Sequence, residues 1–293
     1  MIRAMVLRFP IEYGRNWWSF HAGKGPDLSL DLVFWIGGLL VECVLLAVLF
    51  RKRVFRQLPF FCVFIAWNLL SDTGLFVLQR WIVPWGSNRF FHLYEVQMAI
   101  DSTLIFALLV ELSWSVLRPI RSSLPRGGWI GIALLVALAG LAVWPLAGMT
   151  QPPELSNEGS AFFRLDQTAA ILRVVIFLAM AGFSQLLSLN WRNRELQVAT
   201  GLGFYSIVSL AVTIVHTHQA VGSTYHIIDQ LQALCYLGSL SYWVLAFTTK
   251  EAERQKFSPQ MEKFLLLVGS NARASRTQVT SFMITGSQPK DKQ

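Results

Sequence analysis

The sequence predicts an all-α, polytopic membrane protein. The expected architecture is a bundle of seven transmembrane helices, with the N-terminus outside the cell and the C-terminus in the cytoplasm. Three observations carry this. Seven apolar runs reach the roughly 20 residues that a helix needs to cross about 30 Å of hydrocarbon. The chain of 293 residues is 54% apolar and only 14% charged, whereas an ordinary water-soluble domain is about 25% charged. Basic residues gather in alternate loops. Backbone amides in lipid find no water, so each run must satisfy its hydrogen bonds internally as a helix.

Residues 1–27 form the extracytoplasmic segment. They lack the continuous apolar core of a signal peptide, and "RNWWSFHAGKG" is aromatic and basic, a composition suited to the membrane interface. The first span, 28–50, is therefore expected to act as the targeting signal and to stay in the protein. It runs into Arg51, Lys52, Arg53 and Arg56. The second span is 59–79, followed by Arg80 and Arg89, which blur the charge pattern. The third, 91–117, is long enough to tilt and precedes Arg118, Arg121 and Arg126. The fourth, 129–149, has no polar face; the loop after it, "TQPPELSNEGS", has two acids and no base. The fifth, 162–189, leads to Arg192 and Arg194. The sixth, 200–219, ends in an uncharged loop, and the seventh, 225–249, opens into Lys250, Arg254 and Lys256. The positive-inside rule converts this alternation into the stated orientation, and an odd number of spans agrees with it.

The predicted cytoplasmic tail is 250–293. Ser258 is a natural N-cap and Pro259 a natural first helical residue. Met261, Phe264, Leu265 and Val268 then share one side of a short amphipathic helix over 259–268. Such a helix suits the inner membrane surface or a cytoplasmic partner protein.

The net charge is +8. A basic balance often signals nucleic acid, but these bases sit in short loops beside apolar spans and no basic stripe is interleaved with aromatics. The expected partner is the lipid bilayer, not nucleic acid. Cys43, Cys62 and Cys235 all fall inside spans without CxxC spacing, so they are expected to be small apolar core residues.

Ionisable side chains within a bilayer are costly and face the bundle interior or a water-filled cavity, so they are the informative positions. Helical spacing places Asn68, Ser71 and Asp72 on one face of span two. Tyr94, Gln97 and Asp101 share a face of span three, and Asp166 and Arg173 share one in span five. Tyr205, Ser209, Thr213 and His216 form a stripe on span six; Asp229, Gln232, Tyr236 and Ser239 form another on span seven, with His226 one turn above. These stripes suit helix–helix contacts. With the assigned topology, His92, Glu95, Asp166, His216, His226 and Asp229 lie toward the outer ends of their helices, and Asp72 lies in the outer half of span two. Together they form a candidate outward-facing polar pocket. Arg173, Asp101 and Glu42 lie deeper, and pairing Arg173 with Asp101 or Glu42 would form a buried ion pair. Glu111 also falls within span three.

Sharper chemistry finds little support. His216 and His218 are two apart and point about 200° from each other on a helix, so they cannot share one ion. If a metal binds at all, the sterically possible set is His216 with His226 or His92, plus Asp229 or Glu95, with His216, His226 and Asp229 the first choice. HExxH and HxxxH spacings are absent. Haem would need two opposed histidines, and only His92 with His216 or His226 qualifies. The last span has no lysine before Lys250 for a retinal Schiff base, and there is no GxSxG elbow, P-loop or dinucleotide fingerprint. No cofactor is expected. Pro145 is the only interior proline of the spans, which argues against the broken helices of many transporters.

The stretch "EAERQKFSPQMEKFLLLVGSNARASR", residues 251–276, resembles the juxtamembrane tail of uncharacterised seven-helix membrane proteins of soil acidobacteria. That resemblance implies a multi-pass protein of the bacterial inner membrane and brings no catalytic residues. The leading expectation is a non-enzymatic sensory, transducer or scaffolding module. The alternatives are a membrane enzyme or metal-binding protein using the outer His/carboxylate cluster, and then a small-solute transporter.

Overall fold

The structure, a computed structural model, describes residues 30–81, 88–117, 127–150, 157–184, 193–218 and 223–249. The predicted N-terminal segment and the tail with its 259–268 helix lie outside the described residues. Seven α-helices and no strand occupy the rest: α1 (Leu30–Arg51), α2 (Pro59–Trp81), α3 (Asn88–Val116), α4 (Gly128–Ala147), α5 (Asn157–Gly182), α6 (Arg194–His218) and α7 (Ser223–Thr248). Six of them, all but α2, are long and apolar enough to cross a membrane; the apolar stretch of α2 is the shorter Pro59–Leu75. The chain is thus an all-α, membrane-embedded bundle.

Two helices start more than a turn ahead of the spans read from hydropathy. α5 begins at Asn157 and α6 at Arg194. In α6 the extra turn carries Arg194 and Glu195, which look like loop residues in sequence. Glu195 is buried because Ser115 of α3 donates a 2.7 Å hydrogen bond to its carboxylate, and Arg194 donates to the Gln57 side-chain oxygen.

The helices close into a ring. Each packs against the next in chain order, and α7 returns to α1. α3 also touches α5 and α6, which places it toward the middle. α4 packs on α3 and α5 and turns most of its surface outward; Leu135 and Leu141 are 66% and 70% exposed. That surface would be untenable in water, and it suits lipid.

The interior divides by height. Where α1, α3, α5 and α7 end and α2 and α6 begin, the core is dry. Leu45 and Leu49 of α1, Phe61 and Ile65 of α2, Leu108 and Leu112 of α3, and Phe247 of α7 are almost wholly buried there. Phe61 stands edge-on to Trp243 at 5.2 Å between ring centres and tilts against Phe247 at 5.7 Å. Aromatic pairs of this kind add about 0.5–1.5 kcal/mol beyond area burial. Val116, Met180, Leu196 and Ala199 extend the dry end between α3, α5 and α6.

A carboxylate fastens this end. α2 starts with Pro59, which has no N–H to lose at the first helical position. The next two amides, of Phe60 and Phe61, each donate a 3.0 Å hydrogen bond to one oxygen of Glu111, on α3. A helix N-terminus presents unsatisfied donors and a partial positive charge. Glu111 answers both, and in doing so locks α2 to α3. Beside it, Arg53 takes a left-handed conformation (φ 54°) that turns the chain from α1 into the 3₁₀ turn Val54–Arg56 ahead of α2.

Two glycines of α6 set its spacing. A Cβ on Gly201 would overlap the Trp243 indole of α7, and one on Gly203 would overlap the Phe177 side chain of α5. Small residues let membrane helices approach closely. Gly201→Ala and Gly203→Ala should each lower stability by about 1–3 kcal/mol through overpacking, read as a lower melting temperature in detergent. Gly131→Ala, which meets nothing within 4 Å, should be neutral or slightly stabilising. Glu111→Ala should destabilise by about 1 kcal/mol or more, the usual effect of losing an N-terminal cap.

Candidate functional site

Above the dry core, toward the end where α3, α5 and α7 begin, the bundle holds a polar cavity of about 100 Å³. A buried water needs at least about 10–15 Å³ of such space, and an apolar cavity of about 150 Å³ admits benzene. This one therefore has room for several waters or one small organic molecule.

Five helices build its wall, each through positions on one side. α2 contributes Asn68 and Asp72; α3, Asp101 and Ser102; α5, Asp166, Gln167 and Arg173. α6 contributes Tyr205, Ser209 and Thr213, and α7 contributes Gln232, Tyr236 and Ser239. The spacings of three, four and seven residues are those that return to the same helix face. Trp243 forms part of the same wall, and its ring rests on Phe61 of the dry core. Its indole N–H donates to the Gln197 carbonyl at 3.2 Å.

Hydrogen bonds tie the wall across helices. The Gln232 amide donates to Ser209 Oγ at 3.1 Å and to the Tyr205 hydroxyl at 3.4 Å, joining α7 to α6. The Gln167 amide donates to Thr213 Oγ1 at 3.3 Å, joining α5 to α6. Thr213 in turn donates to the Ser209 carbonyl. The Trp67 indole donates to Asp101, joining α2 to α3. Tyr236 lines the cavity and donates its hydroxyl to Glu42 on α1. Glu42 is only 1% exposed and borders a small neighbouring cavity of about 10 Å³, which Asp72 and Tyr236 also line. Tyr236 and Asp72 thus stand between the two spaces.

The sequence-predicted residues separate into groups. Asp72, Asp166, Asp101 and Arg173 all line the main cavity. Arg173 is 7% exposed, and its Nε donates to the Ala169 carbonyl one turn earlier at 3.3 Å. Glu42 lies on the far side of Tyr236, in the second cavity. His92 and Glu95 do not join the main cavity's wall; they form a local 3.2 Å pair within α3, with His92 77% exposed. His216 falls in the last turn of α6, and His226 and Asp229 fall in the first two turns of α7; their side chains lie outside the described residues. Among the described residues, no three His, Cys, Asp or Glu side chains approach closely enough to hold a metal ion.

Four contacts have no counterpart in the sequence reading: Trp67 on Asp101, Tyr236 on Glu42, Gln167 on Thr213, and Glu111 on the start of α2. Local periodicity marks which face is polar but not which helix it meets. The one available signal was Glu111, a carboxylate near a span end with no basic residue one turn away.

Compared with known proteins, the chain matches no family model, no curated protein and no solved structure.

The Tyr236–Glu42 contact makes a direct prediction. Tyr236→Phe removes the donor and leaves a buried carboxylate oxygen to be resolvated, a cost of about 1–3 kcal/mol. Tyr236→Phe combined with Glu42→Leu should be less destabilising than the sum of the two single changes, measured as a double-mutant cycle on thermal unfolding. Additive effects would show that the pair contributes no coupling.

Proposed function

We propose that the chain is a non-enzymatic sensory transducer of the bacterial inner membrane, with seven transmembrane helices, the N-terminus outside and the C-terminal tail in the cytoplasm. The observation that carries this reading is the convergence of polar stripes from five helices on one cavity. A solute there would touch α2, α3, α5, α6 and α7 together, so occupancy would act on their mutual packing. The loop charges favour a cavity in the outer half and a dry core in the inner half. The tail's resemblance to acidobacterial seven-helix proteins supports the inner membrane as its location.

The inner end supplies the output. There Glu111 clamps α2 to α3, Ser115 bonds Glu195 of α6, Arg194 bonds Gln57, and the Lys52 ammonium reaches the Thr248 carbonyl at 3.4 Å. These contacts join most of the helices that wall the cavity. A shift that breaks one of them would move the start of the tail, where a cytoplasmic partner protein would read it.

Two measurements test this. Reporter fusions at the C-terminus should be active only with a cytoplasmic reporter; a periplasmic signal would overturn the orientation. Spin labels at Phe55 and Thr249, both exposed at the inner end, report its geometry. Ser102→Leu fills cavity space without removing a hydrogen bond of the wall, and so mimics occupancy. It should change the 55–249 distance distribution, whereas an unchanged distribution would sink the transducer reading.

A further inference from the structure

The polar cavity is long and narrow. Along α7 its wall runs from Gln232 to Trp243, along α6 from Leu202 to Thr213, and along α5 from Phe163 to Arg173. At a rise of about 1.5 Å per residue, each of these stretches covers about 15 Å. A volume of about 100 Å³ drawn out over that length is a shaft. It has room for several waters one after another, each needing at least about 10–15 Å³ of such space. A compact organic guest would fill only part of it.

The wall carries hydroxyls with a hydrogen left to give. Ser239 lines the cavity, is 3% exposed, and its Oγ has no hydrogen-bond partner among the described residues. A serine in a helix can donate back to the carbonyl one turn earlier, as Ser113 does to Leu109. Ser239 does not, and a buried hydroxyl left unpaired is costly. The Tyr205 hydroxyl and Ser209 Oγ each accept from the Gln232 amide, and neither donates its own hydrogen to a described residue. Three O–H groups on α6 and α7 thus line the space with no acceptor among the described residues. Acceptors stand on the other helices of the same wall. A carboxylate has about four lone-pair sites, so Asp72, Asp101 and Asp166 can each take a water beside their partners in the protein. Water both accepts and donates, and so serves both kinds of wall group.

We infer that the shaft holds a file of ordered waters, running from the level of Gln232 down to Ser239 at the edge of the dry core. The waters accept from Tyr205, Ser209 and Ser239 and donate to the carboxylates. Ionisable side chains within a bilayer are tolerated where they face such water. The file also sets a condition on any guest. Displacing an ordered water with a group that cannot replace its hydrogen bonds loses affinity, so a solute that enters must itself both donate and accept. The inference goes beyond the transducer reading and does not depend on it.

The test is hydroxyl-radical labelling by X-ray pulses on the full-length protein in lipid nanodiscs, in which radicals form from water where it sits. Two methionines make a matched pair. Met98 lines the cavity and is 6% exposed, whereas Met180 packs with Val116, Leu196 and Ala199 in the dry end and is 4% exposed. Because a buried water is held as part of the structure, Met98 should oxidise about fivefold or more faster than Met180. Ser102→Leu, which fills cavity space, should bring the Met98 rate down toward that of Met180. Equal rates in the wild type, from a space that is dry or filled by an acyl chain, would overturn the inference and leave the spin-label test of the transducer intact. A Met98 rate that stays high in a folded Ser102→Leu would trace the oxidation to water outside the shaft, and would overturn it too. A rise at Met180 would mark a variant that has not folded, and the wild-type pair then decides alone.

Discussion

Hydrocarbon offers no hydrogen bonds, and most of what this molecule does with its polar groups follows from that. Backbone amides are satisfied within helices. Several hydroxyls bond back along their own helix, as Thr103, Ser113 and Thr200 do, and Ser115 meets Glu195 across an interface. Carboxylates and the amides of glutamine turn inward, where other helices or a shared cavity receive them. The outer surface is left to leucine, valine, isoleucine and phenylalanine. α4 carries this to its limit: it has no charged residue, contributes none to the cavity wall, and faces outward along most of its length.

The same constraint gives the bundle two halves with different mechanics. The dry half is held by interdigitated leucines and the Phe61–Trp243–Phe247 group, which pack to the density of a crystal and resist small displacements. The wet half is held by a few cross-helix hydrogen bonds around a space. Membrane interhelical hydrogen bonds average only about 0.6 kcal/mol, so that half can exchange partners at little cost. Trp243 belongs to both: it walls the cavity and packs on Phe61. Phe64, Ile105 and Leu202 also line the cavity and belong to the same core, so a change in the wet half reaches the rigid half through these four side chains.

Much of this was visible in the sequence, for a definite reason. Helical periodicity sorts residues by face, and in lipid a polar face has only one place to go. Asn68 with Asp72, Asp166 with Arg173, and Tyr205 with Ser209 and Thr213 were therefore assigned to inward stripes from spacing alone, and all of them line the cavity. What spacing does not encode is which helices are neighbours across the ring. That is why the bonds of Tyr236 to Glu42 and of Trp67 to Asp101 emerged only from the fold. It is also why His92 and Glu95, polar and near the predicted outer boundary, were grouped with a pocket whose wall they do not form; their partner is on their own helix. Hydropathy misjudged the start of α6 because Arg194 and Glu195 look like water-facing residues until Gln57 and Ser115 come into place.

Gly201 and Gly203 point to opposite neighbours, and toward each of them α6 offers only its backbone. The distance from α5 to α7 across it is therefore fixed by main-chain atoms, which cannot change rotamer. A related chain that carries alanine at either position would have its walls set further apart, and would enclose a roomier chamber. The bore of the cavity is in this sense written in two hydrogens, one of them set against the Trp243 ring that walls it.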